Sequence, residues 1–185
     1  MVDPIVFKHE RDDWETPPEL WHLLYDDYGP LSDPCPAKYS RDGLITDWPD
    51  RNYVNPPYSR IGDNKKLGMG WAAKAYNEFK AGRFVVFLCP ARTDTEYFHK
   101  YLLKCQKIRL FEGRLQFMIG DKRGDSAPFP SMLCVFDPAL APYMVAPIIE
   151  PITKERLKAY RALLPSEKAP SIQATTDLHF DTGDR

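Results

Sequence analysis

No stretch of the sequence approaches the ~18 consecutive apolar residues of a membrane span. The opening segment, MVDPIVFKHERDD (1–13), has no apolar run of the kind a signal peptide carries. There is no Cys-x-x-Cys: Cys35, Cys89, Cys105 and Cys134 are scattered, and His9, His22, His99 and His179 form no spaced cluster with them. A structural zinc site is therefore not expected, and four free thiols point to a reducing, cytoplasmic setting. Charge of one sign is also lacking. The formal net charge is −1, which taken alone argues against a polycation that coats nucleic acid. Internal repeats are absent.

Proline is plentiful, with 18 among 185 residues, roughly twice ordinary usage. Interior prolines break helices, so a coiled coil or all-helical bundle is excluded. Hydrophobic residues make up 43% and aromatics 13%, enough for a sizeable core, and the length suits one domain. Residues 1–13 read as a mobile polar arm, 14–164 as the folded domain and 165–185 as a polar, disordered tail.

Local signals predict the order of elements. Thr16-Pro17-Pro18-Glu19 reads as a capping box that opens a helix to Tyr28, ended by Gly29-Pro30. Leu31-Ser32-Asp33 reads as a short strand, and Tyr53-Val54 as another. Ser59–Gly70 reads as a flexible loop, followed by a helix over 69–81. Phe84–Cys89 is a continuous apolar run, the pattern of a buried strand. Thr93-x-x-Glu96 predicts a second capping box and a helix to Lys104. Strands follow over 108–111, 115–119 and 132–136, then a proline-rich stretch over 137–151 and a helix over 153–163. This alternation predicts an α/β fold with a mostly parallel sheet, an antiparallel edge and helices on both faces.

Asn55-Pro56-Pro57-Tyr58 carries the chemistry. Two prolines set φ at consecutive positions and remove two backbone donors. The carbonyls that remain can only accept hydrogen bonds. Asn55 adds a side-chain acceptor, and Tyr58 adds a flat ring. A rigid turn of this kind suits a planar amine, with Asn55 and the Pro56 carbonyl accepting its two N–H bonds and Tyr58 stacking on the attached ring. An aryl amine is a poor nucleophile because its lone pair is delocalised. Two acceptors in a dry site pull the nitrogen toward tetrahedral geometry and stabilise the charge that develops on attack. A sulfonium methyl donor placed in line then requires no covalent enzyme intermediate.

With this motif stand Asp13-Trp14-Glu15-Thr16-Pro17, Asp33-Pro34-Cys35-Pro36-Ala37, Asp42-Gly43-Leu44, Trp48, Trp71, Pro90-Ala91-Arg92-Thr93-Asp94-Thr95 and Gly113-Arg114-Leu115-Gln116-Phe117. As an ordered set, spanning about 13–136, they resemble the phage-type DNA N6-adenine methyltransferases, which use S-adenosylmethionine. The resemblance implies a trimmed Rossmann-like class I methyltransferase sheet and a double-stranded DNA substrate, with the target base flipped out of the duplex. It also implies a phage or prophage protein in a bacterial host, of the restriction-modification type. Asn55, Pro56, Pro57 and Tyr58 would hold the base. Thr16, Pro17, Asp33, Pro34, Cys35 and Asp47 would line the cofactor site. Arg92 and Arg114, with Arg60, Lys65 and Lys66 of the loop after Tyr58, would contact DNA.

The chain departs from the wider class in one respect. The glycine-rich turn expected after Asp33 is missing, and only 22 residues separate Asp33 from Asn55, too few for a βαβ unit. The motif leaves cytosine N4, RNA or protein glutamine open as acceptors, and an inactive DNA-binding relative as a further alternative. Cys35 follows proline, as in cytosine-C5 enzymes that use a covalent thiol, but the partner motifs of those enzymes are missing, so Cys35 is expected to pack. Near-neutral charge, finally, is an average. Residues 1–50 carry 4 basic and 12 acidic side chains, whereas 51–83 and 100–123 each carry 7 basic and 2 acidic. If the two basic segments met beside Tyr58 they would form a DNA-facing surface.

Overall fold

The computed structural model describes residues 14–36, 43–63 and 69–164. The N-terminal arm (1–13), the C-terminal tail (165–185) and the two loop lysines, Lys65 and Lys66, lie outside the described residues.

Helix α1 (Pro18–Tyr28) leads to β1 (Arg51–Val54), α2 (Trp71–Lys80), β2 (Phe84–Pro90), α3 (Glu96–Lys100) and β3 (Lys107–Phe111). A hairpin of β4 (Gln116–Ile119) and β5 (Lys122–Ser126) follows, then β6 (Ser131–Phe136), β7 (Ile148–Ile152) and α4 (Lys154–Leu163). Five strands form one sheet in the order β1-β2-β6-β3-β7, and β4-β5 stands apart. Strands β1 and β2 pair parallel, as do β3 and β7, while β6 runs antiparallel to both β2 and β3. The sheet is therefore mixed, and the expectation of an antiparallel edge is corrected: the reversed strand sits in the middle. A βαβ crossover joins β1 to β2, but β6 enters from the β4-β5 hairpin and lies down between its parallel neighbours.

Alternation along the strands divides the core. Val85, Phe87 and Cys89 of β2 face one layer with Trp71, Ala72 and Ala75 of α2 and with Phe98 and Leu102. Phe84, Val86 and Leu88 face the other, with Leu20, Leu23 and Leu24 of α1 and with Leu157 and Tyr160 of α4. Helices thus cover both faces, as expected. Every residue of β2 is buried, which is why that strand reads as an unbroken apolar run. The predicted strand at Leu31–Asp33 contracts to one parallel bridge, Ser32 to Asn52, held by Ser32 N to Arg51 O at 2.9 Å and Tyr53 N to Ser32 O at 2.8 Å.

Neither capping box forms. Pro17 is the N-cap of α1; the Thr16 hydroxyl pairs with Tyr53 OH at 2.8 Å, and Glu19 pairs with Arg123. At α3 the N-cap is Thr95, whose hydroxyl donates to Arg92 O at 2.8 Å. Helix α3 accordingly ends at Lys100 and gives way to a single 3-10 turn, Leu102–Lys104. Cys35, Cys89, Cys105 and Cys134 are free thiols, the last three buried. Among the described residues no helix is long and apolar enough to cross a membrane, and no group of three or more His, Cys, Asp or Glu is arranged to hold a metal.

Candidate active site

Strand β1 ends at Val54, so Asn55 emerges from the sheet at the carboxyl end of a parallel strand. The Ser32 bridge is parallel to β1, and β2 is parallel to it as well. Asp33, Asn55 and the residues after Pro90 therefore leave the sheet at one end. Open α/β sheets bind ligands at such an end.

The Asn55 amide is oriented by the chain itself. Its Nδ2 donates to the Trp14 carbonyl at 3.1 Å. A carbonyl can only accept, so the amide nitrogen must face it, and Oδ1 is left as an acceptor pointing elsewhere. Pro56 is buried beside it. Tyr58 opens a 3-10 turn (Tyr58–Arg60) and sits in an aromatic cluster. Its ring meets Trp14 edge-on at 6.0 Å, Phe117 at 6.3 Å and Phe129 at 5.4 Å. Trp14 in turn stacks on Phe117, 5.1 Å between centroids and 12° between planes. The Tyr58 hydroxyl is buried with no hydrogen-bond partner among the described residues, and so is the Ser131 hydroxyl at the start of β6, in register with Pro90. Burial pushes the Tyr58 hydroxyl well above the usual tyrosine range. It is a neutral group at any physiological pH.

Asp33 accepts a bond from Cys35 N at 2.8 Å and faces no cation among the described residues. Burial pushes its carboxyl up to about 7, against the opposing pull of the Cys35 N–H. The close turn that follows is made possible from across the chain rather than by a glycine of its own. A Cβ on Gly43 would stand 2.2 Å from the Pro34 carbonyl oxygen and 3.0 Å from the Trp71 ring, so only glycine fits there. Trp48 Nε1 donates to the Gly43 carbonyl at 2.7 Å, locking the two segments together, and Cys35 packs against the same core.

The other predicted site residues divide. Thr16 stands next to Tyr53, whose hydroxyl feels the Asp33 charge, and Pro17 is buried; both join this end of the molecule. Arg92 lies over the Phe129 ring at 5.8 Å and so borders the aromatic cluster. Arg60 ends the 3-10 turn begun by Tyr58. Asp47 and Arg114 are exposed, and no contact among the described residues ties either to Asn55 or Asp33. Four of the seven basic residues of the second segment are held in pairs within the fold: Lys100 on Asp63 at 3.1 Å, Lys107 on Glu150 at 2.9 Å, Arg109 on Asp27 at 2.6 Å and Arg123 on Glu19 at 2.6 Å.

The family model described as DNA N-6-adenine-methyltransferase (Dam) matches residues 5–159. The chain belongs to this family. Among curated proteins and among solved structures, nothing matches. The match takes in every element from α1 to most of α4. Within this Dam-family chain, three members of the site escape a reading of the sequence: the Trp14 carbonyl, Phe117 and Phe129. Trp14 and Phe117 stand inside motifs that resemble the family's, which is a signal, but Phe129 has none. Backbone acceptors and rings assembled from segments about 100 residues apart have no local signature.

Proposed function

We propose that the protein transfers a methyl group from S-adenosylmethionine to the exocyclic N6 amine of adenine in double-stranded DNA, acting directly on a base turned out of the stack. The observation that carries the reading is the Asn55 amide. Held by an acceptor-only partner, it presents oxygen, and the Pro56 carbonyl beside it can likewise only accept. Two acceptors match the two N–H bonds of an aryl amine and oppose the positive charge that forms on its nitrogen during attack. Membership of the adenine-methyltransferase family supports the same base. We read the sheet as a trimmed class I methyltransferase sheet, with Asp33 at the end of its cofactor strand.

The residues present suit that cofactor. Asp33 is a carboxyl that burial raises and that no cation among the described residues relieves, which suits a group completed by a cationic or hydroxyl-bearing ligand. Thr16, Pro17, Pro34 and Cys35 would frame the ligand. S-adenosylmethionine, when bound, supplies a methyl carbon activated by a sulfonium. The chain's part is to orient the amine through Asn55 and Pro56 and to exclude water with Trp14, Tyr58, Phe117 and Phe129. Arg60, Lys65, Lys66, Arg92 and Arg114 are assigned to the DNA backbone, where each would add to the salt dependence of binding.

Labelled donor and unmethylated duplex DNA, followed by nucleoside analysis, test the reading. N6-methyladenine is expected from the wild type and almost none from Asn55→Ala. Label in 4-methylcytosine, RNA or protein would refute the acceptor assignment, and donor-independent DNA binding with no label at all would favour an inactive relative.

A further inference from the structure

We propose that the β4-β5 hairpin is part of the catalytic machinery at one remove: it sets the Trp14 carbonyl, and through it the orientation of the Asn55 amide. This deepens the proposed function and rests on it for the role of Asn55. The connection is continuous. Glu15 N donates to Met118 O at 3.0 Å and Met118 N donates to Glu15 O at 2.9 Å, so residue 15 is strand-paired to β4. One residue earlier Trp14 stacks on Phe117, which is 2% exposed, and from the same residue comes the carbonyl that receives Asn55 Nδ2. On its far side Met118 is in register with Arg123 of β5. Arg123 grips Glu19 with two bonds, 2.6 and 3.0 Å. The segment 14–19 is thus fastened to the hairpin by main chain at Glu15, by ring at Trp14 and by side chain at Glu19.

Two things follow from an acceptor-only partner. Asparagine at position 55 is specified over aspartate, because a carboxylate would set oxygen against the Trp14 carbonyl oxygen with no proton between them. And the loss incurred on loosening the hairpin is one of alignment: displaced by ~1 Å, a positioned group can lose on the order of 100-fold in rate with little change in binding. Trp14, Phe117 and Arg123 are positioning residues; Asn55 is the group that meets the amine.

The test joins a spectroscopic readout to a kinetic one. The Asn55 side-chain amide, assigned in ¹⁵N spectra by its loss in Asn55→Ala, should show one slowly exchanging proton in the wild type. In Phe117→Leu, which keeps an apolar side chain but removes the stack, that protection should fall, with kcat lowered about tenfold or more and the donor and DNA KM within twofold. Arg123→Gln, outside the core, should do the same more weakly and serves if Phe117→Leu does not fold. Asn55→Asp should lose about 100-fold in kcat while remaining folded. An unprotected amide in the wild type, unchanged protection and kcat in both hairpin variants, or Asn55→Asp turning over within threefold of wild type would each overturn the proposal. Absence of adenine methylation in the wild type would instead end the functional reading; the amide measurement would still decide whether the hairpin sets Asn55.

Discussion

At its C-terminal end α1 delivers Asp26, Asp27 and Tyr28 into a closed network. Tyr160 OH donates to Asp26 at 2.8 Å, Arg109 and Arg156 both pair with Asp27, and Arg109 reaches Tyr28 OH at 3.2 Å. Arg51 donates to the Tyr28 carbonyl at 2.5 Å. Even the exception, the buried Arg109 Nε, lies 3.6 Å from Glu150. Just before its N-terminal end the chain reaches the other site, where, among the described residues, Asp33 faces no cation, the Tyr58 hydroxyl has no partner and the Asn55 oxygen is turned away from the bond its amide nitrogen makes to Trp14. Both ends bury a polar group, Arg109 at one and the Tyr58 hydroxyl at the other. One uses its polar groups up within the fold; at the other, among the described residues, the Tyr58 hydroxyl and the Asn55 oxygen are unspent. Burying an unsatisfied polar group costs free energy, so the second arrangement makes sense where something else completes it. The charge map agrees in part: of the basic residues in 100–123, Lys107 and Arg109, both on β3, serve the closed end.

The contrast can be broken from either side. The largest stability effect belongs to the closed end. Arg109→Ala takes a guanidinium that is 3% exposed from between Asp27 and Glu150, leaving them Arg156 and Lys107, and should lower stability by about 3–5 kcal/mol in denaturant melts, while leaving kcat unchanged at a temperature where the variant is folded. If kcat fell as well, the two ends would not be separable.

Asp33 tests the open end by pH. Its carboxyl holds its proton more tightly in the fold than in the unfolded chain, since it is raised from 3.8 to about 7. Between those values the folded state therefore binds the extra proton. Stability of the ligand-free protein should accordingly fall as pH rises through that window, and level off above it. Asp33→Asn removes the slope and should raise stability at pH 8 by about 2–4 kcal/mol in ligand-free melts, while calorimetry shows weakened donor binding. A destabilised Asp33→Asn would place Asp33 among the structural carboxylates.

Thr153 caps α4, accepting from Arg156 N at 3.2 Å. Thr153→Ala should cost ~1 kcal/mol, measured by thermal melt, with activity unaffected. The smallest effect is at the rim of the closed network: Arg156→Ala removes an ion pair whose arginine is 41% exposed and should shift stability by under ~1 kcal/mol.

The parts of this picture that were legible in the sequence are the local ones. Strand β2 declares itself because both of its faces are buried, and Asn55–Tyr58 because four consecutive residues carry the chemistry. Strand β5, Lys122–Ser126, has no apolar residue to betray it; it exists through backbone pairing with β4 and the Arg123–Glu19 grip. Strand β7 hides in a proline-rich stretch because an edge strand tolerates Pro151. The reversed strand in the middle of the sheet could not be read either, since β6 is as apolar as a parallel strand would be. Thr16 looked like a helix cap because capping is a local rule, and it lost to a tyrosine 37 residues away. Phe129, Phe117 and the Trp14 carbonyl come together only when the hairpin folds back on α1.

In the proposed function Asn55 presents an acceptor to an adenine amine at the carboxyl end of the sheet. The most direct test of that role is the single-turnover rate of methyl transfer to adenine in duplex DNA by Asn55→Ala, measured beside its thermal melt. A rate lower by about 100- to 1,000-fold is expected, with donor affinity unchanged and the melting temperature lowered by no more than ~4 °C. A rate within threefold of the wild type, in a protein equally stable, would contradict that role.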